Sequence, residues 1–155
     1  MQPNHRIGLI WHFRTGQTPE EGVCQIRKLA NINQRTLIRH RRANAYRTRS
    51  LLANGRESLQ NPDFDPAPVV KLFTPDAGAT WLISEIDPDD CEGDRAFGLA
   101  DLGLGMPEMG WISLSELAWV RGRLGLPIER DLYFRAEKRL SAYAREARLA
   151  GRIVV

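Results

Sequence analysis

The sequence VVKLFTPDAGATWLISEI, residues 69–86, decides the fold because it predicts two β-strands joined by a tight turn. Apolar, β-branched and aromatic residues dominate 69–74 and 80–86, and the intervening PDAG is typical of turns. Two more runs of the same kind follow at 96–102 and 109–114. Four short strands joined by short loops predict an antiparallel meander.

Two short helices are predicted C-terminal to the fourth strand. Ser113 begins a capping-box pattern that opens a helix ending near residue 121. A last helix is predicted over 142–150 with Ser141 as its cap, and residues 126–134 are predicted to be extended or irregular. The prediction is an α+β domain, a four-stranded antiparallel meander with two C-terminal helices that cover one of its faces.

The chain before the meander predicts helices followed by a linker. Helices are expected over 18–30 and 34–53, and the Asn-Gly pair at 54–55 is expected to stop the second one. Residues 61–68 contain three prolines, which disfavour helix and sheet and predict an extended linker.

Charge is far more segregated along the chain than the formal net charge of +3 suggests. Residues 1–60 carry a net charge of +8, residues 61–118 carry −10 and residues 119–155 carry +5. The first change of sign coincides with the linker, so we predict a basic, mainly helical N-terminal arm at 1–60 and a compact α+β domain at 61–155. A basic arm is typical of proteins that bind DNA or RNA.

The composition excludes several classes of protein. No apolar run is long enough for a membrane span and the N-terminus does not resemble a signal peptide, so we expect a cytoplasmic protein without a membrane partner. Cys24 and Cys91 are expected to be free thiols. All three histidines precede residue 41, so the compact domain cannot use a mechanism that depends on histidine.

Five motifs recur in a characteristic order: LLANGR at 51–56, VVKLFTPDAGATW at 69–81, FGLADLG at 97–103, PEMG at 107–110 and IERDLYF at 128–134. In these motifs the chain resembles domain-of-unknown-function family 2958, over about residues 46–153. The resemblance implies a small bacterial cytoplasmic protein encoded on a plasmid or an integrated conjugative element. Residues 1–45 are outside it, and they are either an added arm or the result of a misplaced translation start.

Clustered arginines are the candidate nucleic-acid-binding residues, because cations that contact phosphates release counterions. All of them lie within the second predicted helix: Arg35, Arg39, Arg41, Arg42, Arg47 and Arg49. Residues 19–45 partly resemble a helix-turn-helix, but Arg27 and Asn31 occupy positions where that motif packs small residues. A helix-turn-helix, a generic basic helix and a solvated arm remain open as interpretations.

Charged residues within the family-like motifs form a second group of candidates. The candidates for an interaction surface are Asp76, Glu108, Glu129, Arg130 and Asp131. Glu85 and Asp101 lie on neighbouring predicted strands, and with Lys71 they are the candidates for a catalytic site that uses Mg²⁺. The acidic loop at 87–94 lacks the spacing of a calcium loop, and the glycines at 98–105 lack the dinucleotide pattern.

Two functions follow as hypotheses. The first is a non-enzymatic interaction module without a cofactor, in which the arm holds DNA or RNA and the acidic surface engages a protein partner or mimics the charge of DNA. Mimicry requires the negative charges to form one continuous face. The alternative is a metal-dependent hydrolase or nuclease, for which Lys71, Glu85 and Asp101 must converge within about 5 Å.

Overall fold

The computed structural model describes residues 41–90 and 92–155, with side chains from Tyr46 onward. Its elements in chain order are α1 (Arg41–Gln60), β1 (Val70–Phe73), β2 (Thr80–Ile86), β3 (Arg95–Asp101), β4 (Glu108–Ser113), α2 (Leu114–Trp119), β5 (Glu129–Arg130) and α3 (Leu140–Ala150). Several predictions lie outside the described residues: the helix at 18–30, the helix-turn-helix, the thiols of Cys24 and Cys91, and the candidates Arg35 and Arg39.

The strands form one antiparallel sheet in the order β4-β3-β2-β1-β5. This confirms the α+β class, but the predicted number of four strands is wrong. A fifth strand, β5, pairs with β1 through Leu72 and Arg130, inside a segment that was predicted to be extended or irregular. Two residues are too short for an alternating pattern, so only the free edge of β1 identifies them as a strand.

The sheet is buried on both faces. On the α1 face, Leu51 of α1 and Leu117 of α2 pack with alternate strand residues such as Leu72 and Ile83. On the opposite face, the α3 face, Leu82 and Leu99 pack against side chains of α3: Leu140, Tyr143, Ala144 and Ala147. The prediction that α2 and α3 cover one face is therefore wrong, because β2 presents Trp81 and Ile83 to the α1 face and Leu82 to the α3 face, so each face needs its own cover.

Helix α1 continues past the Asn-Gly pair that was predicted to end it. Asn54 donates a hydrogen bond from Nδ2 to the carbonyl oxygen of Ser84 in β2 (2.9 Å), and Gly55 is buried beside it. Asn54 therefore bonds the helix to the sheet, and Gly55 allows the two to pack closely. The helix ends only at Gln60. Since α1 also contributes Leu51 to the core, the last third of the segment 1–60 packs with the sheet.

The linker at 61–68 is hydrogen-bonded to the first residues of α3. The carbonyl oxygen of Pro66 accepts a hydrogen bond from the N–H of Leu140 (3.0 Å). The carboxylate of Asp65 accepts hydrogen bonds from the N–H (3.1 Å) and the hydroxyl (2.6 Å) of Ser141. The prediction that Ser141 caps α3 is wrong, because Ser141 lies within the helix and Asp65 satisfies its first donors.

Two other predicted helix ends are confirmed. The Oγ of Ser113 accepts the N–H of Glu116 (3.1 Å) at the start of α2, and Gly151 ends α3 in the left-handed conformation. Of the helices that the structure describes, none has both the length and the apolar character needed to cross a membrane.

Candidate interaction site along the β1–β5 edge

Pairing of β5 with β1 brings together charged residues that are distant in the sequence. The Nζ of Lys71 lies 3.4 Å from Oδ2 of Asp131, and the Asp131 N–H donates to the Lys71 carbonyl oxygen (3.0 Å). Their side chains are only 19% and 28% exposed. The ion pair lies on the α3 face, because Lys71 stands opposite Leu82 in the register of β1 and β2.

An open groove of about 570 Å³ follows this edge. Lys71, Asp131, Phe73 and Tyr133 contribute charged and aromatic groups to its wall, and a second hollow of about 380 Å³ shares three of these four residues. The ring of Tyr133 projects into solvent, while Oδ1 of Asp131 accepts the Tyr133 N–H (2.9 Å). Both signs of charge beside aromatic rings suit a polar segment of a partner.

Two arginines meet at the same edge on the α1 face. Arg130 stands opposite Leu72 in the register, so its side chain lies under α1, and Arg47 donates from Nη2 to the carbonyl oxygen of Leu132 (3.3 Å). The Nη1 of Arg47 is buried and makes no hydrogen bond. Burial, followed by the nearby charge of Arg47, lowers the pKa of Arg130. Paired guanidinium groups that are partly removed from water favour an oxyanion beside them.

The outer side of α1 carries further arginines. Arg42, Arg49 and Arg56 are spaced by seven residues, so their positions share one side of the helix, opposite the buried Leu51 and Gly55. Arg49 and Arg56 are exposed. The sequence interpretation missed Arg56 because it ended the helix at the Asn-Gly pair, although the seven-residue spacing was visible. Arg41, the remaining candidate, is the first residue of α1 that the structure describes.

The acidic candidates do not form a continuous face. Glu108 is the first residue of β4, and Glu129 is the first residue of β5. These two strands are the opposite edges of the sheet, and four strand spacings put them about 19 Å apart. Asp76 accepts a hydrogen bond from the N–H of Leu124, and Asp131 is paired with Lys71. The requirement for mimicry of DNA is therefore not met by these residues.

The three catalytic candidates are not brought together. Asp101 stands opposite Thr80 and Glu85 opposite Phe97, so the two carboxylates are about 15 Å apart along the strands. Both are buried, and Asp101 accepts hydrogen bonds from the N–H groups of Gly103 and Ile153 (both 2.9 Å). Within 41–90 and 92–155, no group of three His, Cys, Asp or Glu residues could hold a metal ion.

Sequence reasoning missed two contributors to this edge. Tyr133 belongs to the IERDLYF motif, and its position close to the charged candidates Arg130 and Asp131 in the sequence could have identified it as part of this site. Leu132 contributes only its carbonyl oxygen, which no sequence pattern marks.

A family model described as "Protein of unknown function (DUF2958)" matches residues 43–154. No curated protein and no solved structure matches the chain.

Proposed function

The chain belongs to the DUF2958 family, and on that premise we propose that it is a non-catalytic interaction module that binds the phosphate backbone of nucleic acid through α1 and the β1–β5 edge. The match over 43–154 confirms the resemblance found over about 46–153. The family description gives no activity, and the arrangement of charges in the structure is what supports this function.

The observation that carries the proposal is the meeting of Arg47 with Arg130. The side chains lie close enough for the charge of Arg47 to lower the pKa of Arg130, after the larger effect of burial. Two guanidinium groups of like charge this close together favour an anion beside them, and a phosphate is such an anion.

The arginines on the outer side of α1 form a second positive surface, on the side of the helix away from Arg47 and Arg130. Positions seven residues apart on a helix are about 10 Å apart, so Arg42, Arg49 and Arg56 span about 20 Å. A row of this length can follow several phosphates of a duplex, in which each strand carries one charge per 3.4 Å or so of axis. Such contacts position the protein without reading sequence, so we expect little sequence preference.

We place this binding in the bacterial cytoplasm and in the maintenance or transfer of a mobile genetic element. The support for this setting is the resemblance of the sequence motifs to the family. The proposal needs no metal or cofactor. It assigns the α1 face of the β1–β5 edge to nucleic acid and leaves the groove at Lys71 and Asp131, on the α3 face, as a surface for a protein partner.

Filter binding of duplex DNA over a salt series tests the proposal. The full chain should lose affinity steeply as salt rises, and the Arg49→Ala/Arg56→Ala variant should bind more weakly with a salt slope smaller by about 2. Both residues are exposed, so the fold should be unaffected.

The matched control removes two exposed arginines from the other side of the sheet. Arg145 and Arg148 lie on α3, so Arg145→Ala/Arg148→Ala changes the net charge equally without touching α1. If both double variants weaken binding to the same extent, or if the full chain does not retain DNA at low salt, the proposal is wrong.

A further inference from the structure

Three loops meet at one end of the sheet, which we call the loop end. They are the β1–β2 turn (74–79), the β3–β4 loop (102–107) and the loop at 121–127. Asp76 joins the first to the third by accepting the N–H of Leu124. Gly78 packs against Gly103, and Gly105 packs against Gly151 at the end of α3.

The loop end exposes large apolar side chains. Four of them lie on the loops and are between 56% and 80% exposed: Leu102, Leu104, Met106 and Leu124. A fifth, Leu149, lies near the end of α3 that meets the β3–β4 loop and is 91% exposed. Exposed apolar residues that are scattered singly need no explanation, whereas several of them on loops that contact one another at one end of a domain indicate a binding surface.

The loops that carry these side chains are held in fixed conformations. Asp101, itself buried, accepts the N–H of Gly103 (2.9 Å) and so anchors the start of the β3–β4 loop. Gly103, Gly105 and Gly125 adopt positive φ angles, which glycine takes without strain, so the chain turns tightly at these three positions. A preorganised apolar surface loses little conformational entropy when it binds another protein.

The size of the surface suits a second copy of the chain. Five side chains with these exposures present roughly 600 Å² per copy, so a pair would bury roughly 1,200 Å², which is enough for a specific interface. The surface is formed by leucine and methionine side chains, which pack adaptably against an identical partner.

The charges at its border complement one another. Glu108 is exposed at the start of β4, on one side of the loop end. Arg123 is exposed next to Leu124, which Asp76 holds beside the β1–β2 turn, on the other side. A twofold axis through the centre of the surface would place Glu108 of each copy opposite Arg123 of the other.

We propose that the loop end is a homodimer interface, in which Leu104, Met106 and Leu124 of one copy pack against the same residues of a second copy. The Glu108–Arg123 pairs fix the orientation. The interface leaves α1 uncovered, although its β1–β2 turn also lines the groove along the β1–β5 edge. A dimer would therefore present two copies of α1 and bind DNA with higher avidity than one copy.

Sedimentation equilibrium of the full chain tests the proposal. The chain should form a dimer with rising concentration, and Leu104→Ser/Leu124→Ser should raise the dimer Kd at least tenfold. Glu108→Arg and Arg123→Glu should each weaken the dimer, and the two together should restore it, since the reversed charges again meet across the axis.

Tyr133→Ser is the matched control, because Tyr133 is equally exposed but lies in the groove along the β1–β5 edge. It should leave the dimer Kd unchanged, and circular dichroism should confirm the fold of every variant. A chain that remains monomeric at about 200 µM, a dimer that the leucine variant does not weaken, or a charge reversal that does not restore association would overturn the proposal.

Discussion

Gly55 of α1 packs directly against Ile86 at the end of β2, where a β-carbon on Gly55 would overlap the carbonyl oxygen of Ile86. A glycine inside a helix normally costs about 1 kcal/mol relative to alanine. Its presence here is explained by the close approach of the helix backbone to the sheet, because no larger residue allows that distance.

Gly55→Ala should therefore destabilise the protein, although the same change stabilises an isolated helix. The overlap with a backbone atom should outweigh the gain in helix propensity and leave a net loss of about 2 kcal/mol in the free energy of unfolding. Urea unfolding measures this loss. Arg56→Ala, at the exposed neighbouring position, should change the stability by less than about 0.5 kcal/mol. A more stable Gly55→Ala variant would show that α1 does not pack at this distance.

Replacement by alanine should have different effects on stability at two glycines in neighbouring strands. A β-carbon at Gly98 in β3 would overlap the carbonyl oxygen of Leu82, whereas at Gly110 in β4 it would meet nothing within 4 Å. Gly98→Ala should cost about 2 kcal/mol of stability. Gly110→Ala should be neutral or stabilise by up to about 1 kcal/mol, because alanine loses less backbone entropy on folding. Equal effects of the two changes in denaturant unfolding would contradict this register.

Asp101 should act as a structural anchor. Removing its carboxylate in Asp101→Ala leaves the N–H groups of Gly103 and Ile153 without their acceptor, at a cost of about 2–4 kcal/mol. Hydrogen exchange at the Ile153 amide should become faster in the same variant. Asp63→Ala, at an exposed position of the linker, is the control and should leave both measurements unchanged. Retained protection at Ile153 in Asp101→Ala would argue against the anchor.

Asp90 should contribute stability that depends on pH. Burial raises its pKa, but hydrogen bonds from the N–H groups of Arg95, Glu92 and Asp94, with the charge of Arg95, outweigh this and hold the pKa below the ordinary value of 3.8. A lowered folded-state pKa means that the contribution is complete above pH 3.8 and is lost as the pH falls through the folded-state pKa.

Asp90→Asn should therefore be less stable than the unchanged chain at neutral pH, by about 1 kcal/mol because solvent screens this carboxylate. The free energies of unfolding of the variant and of the unchanged chain, measured from neutral pH down to strong acid, should become equal at the acidic end. A difference that stays constant over the whole pH range would mean that the charge of Asp90 has no part in the effect.

Two N-terminal truncations should differ in stability, because one keeps α1 and the other removes it. A chain of residues 41–155 keeps Leu51, Asn54 and Gly55 in place and should unfold cooperatively. A chain of residues 61–155 exposes the α1 face of the sheet and should lose at least about 3 kcal/mol, since Leu51→Ala alone should cost 2 kcal/mol or so. Equal melting temperatures of the two truncated chains would support the boundary at residue 61 that the charge pattern predicts.

The sequence by itself determined the elements whose formation depends on neighbouring residues. Strands β1 to β4 follow from alternating or continuous apolar runs between turn residues, and Ser113 marks the start of α2 through a bond three residues away. The charge segregation is likewise a property of the chain, because it requires only counting.

Only the tertiary structure decided the relationships between distant residues. It adds β5 to the edge of β1, places Arg47 beside Arg130, supplies Asp65 as the cap of α3 and separates Glu85 from Asp101. Local preferences extend over a few residues and cannot specify which surface a segment meets, and that choice depends on how all the apolar faces are buried together.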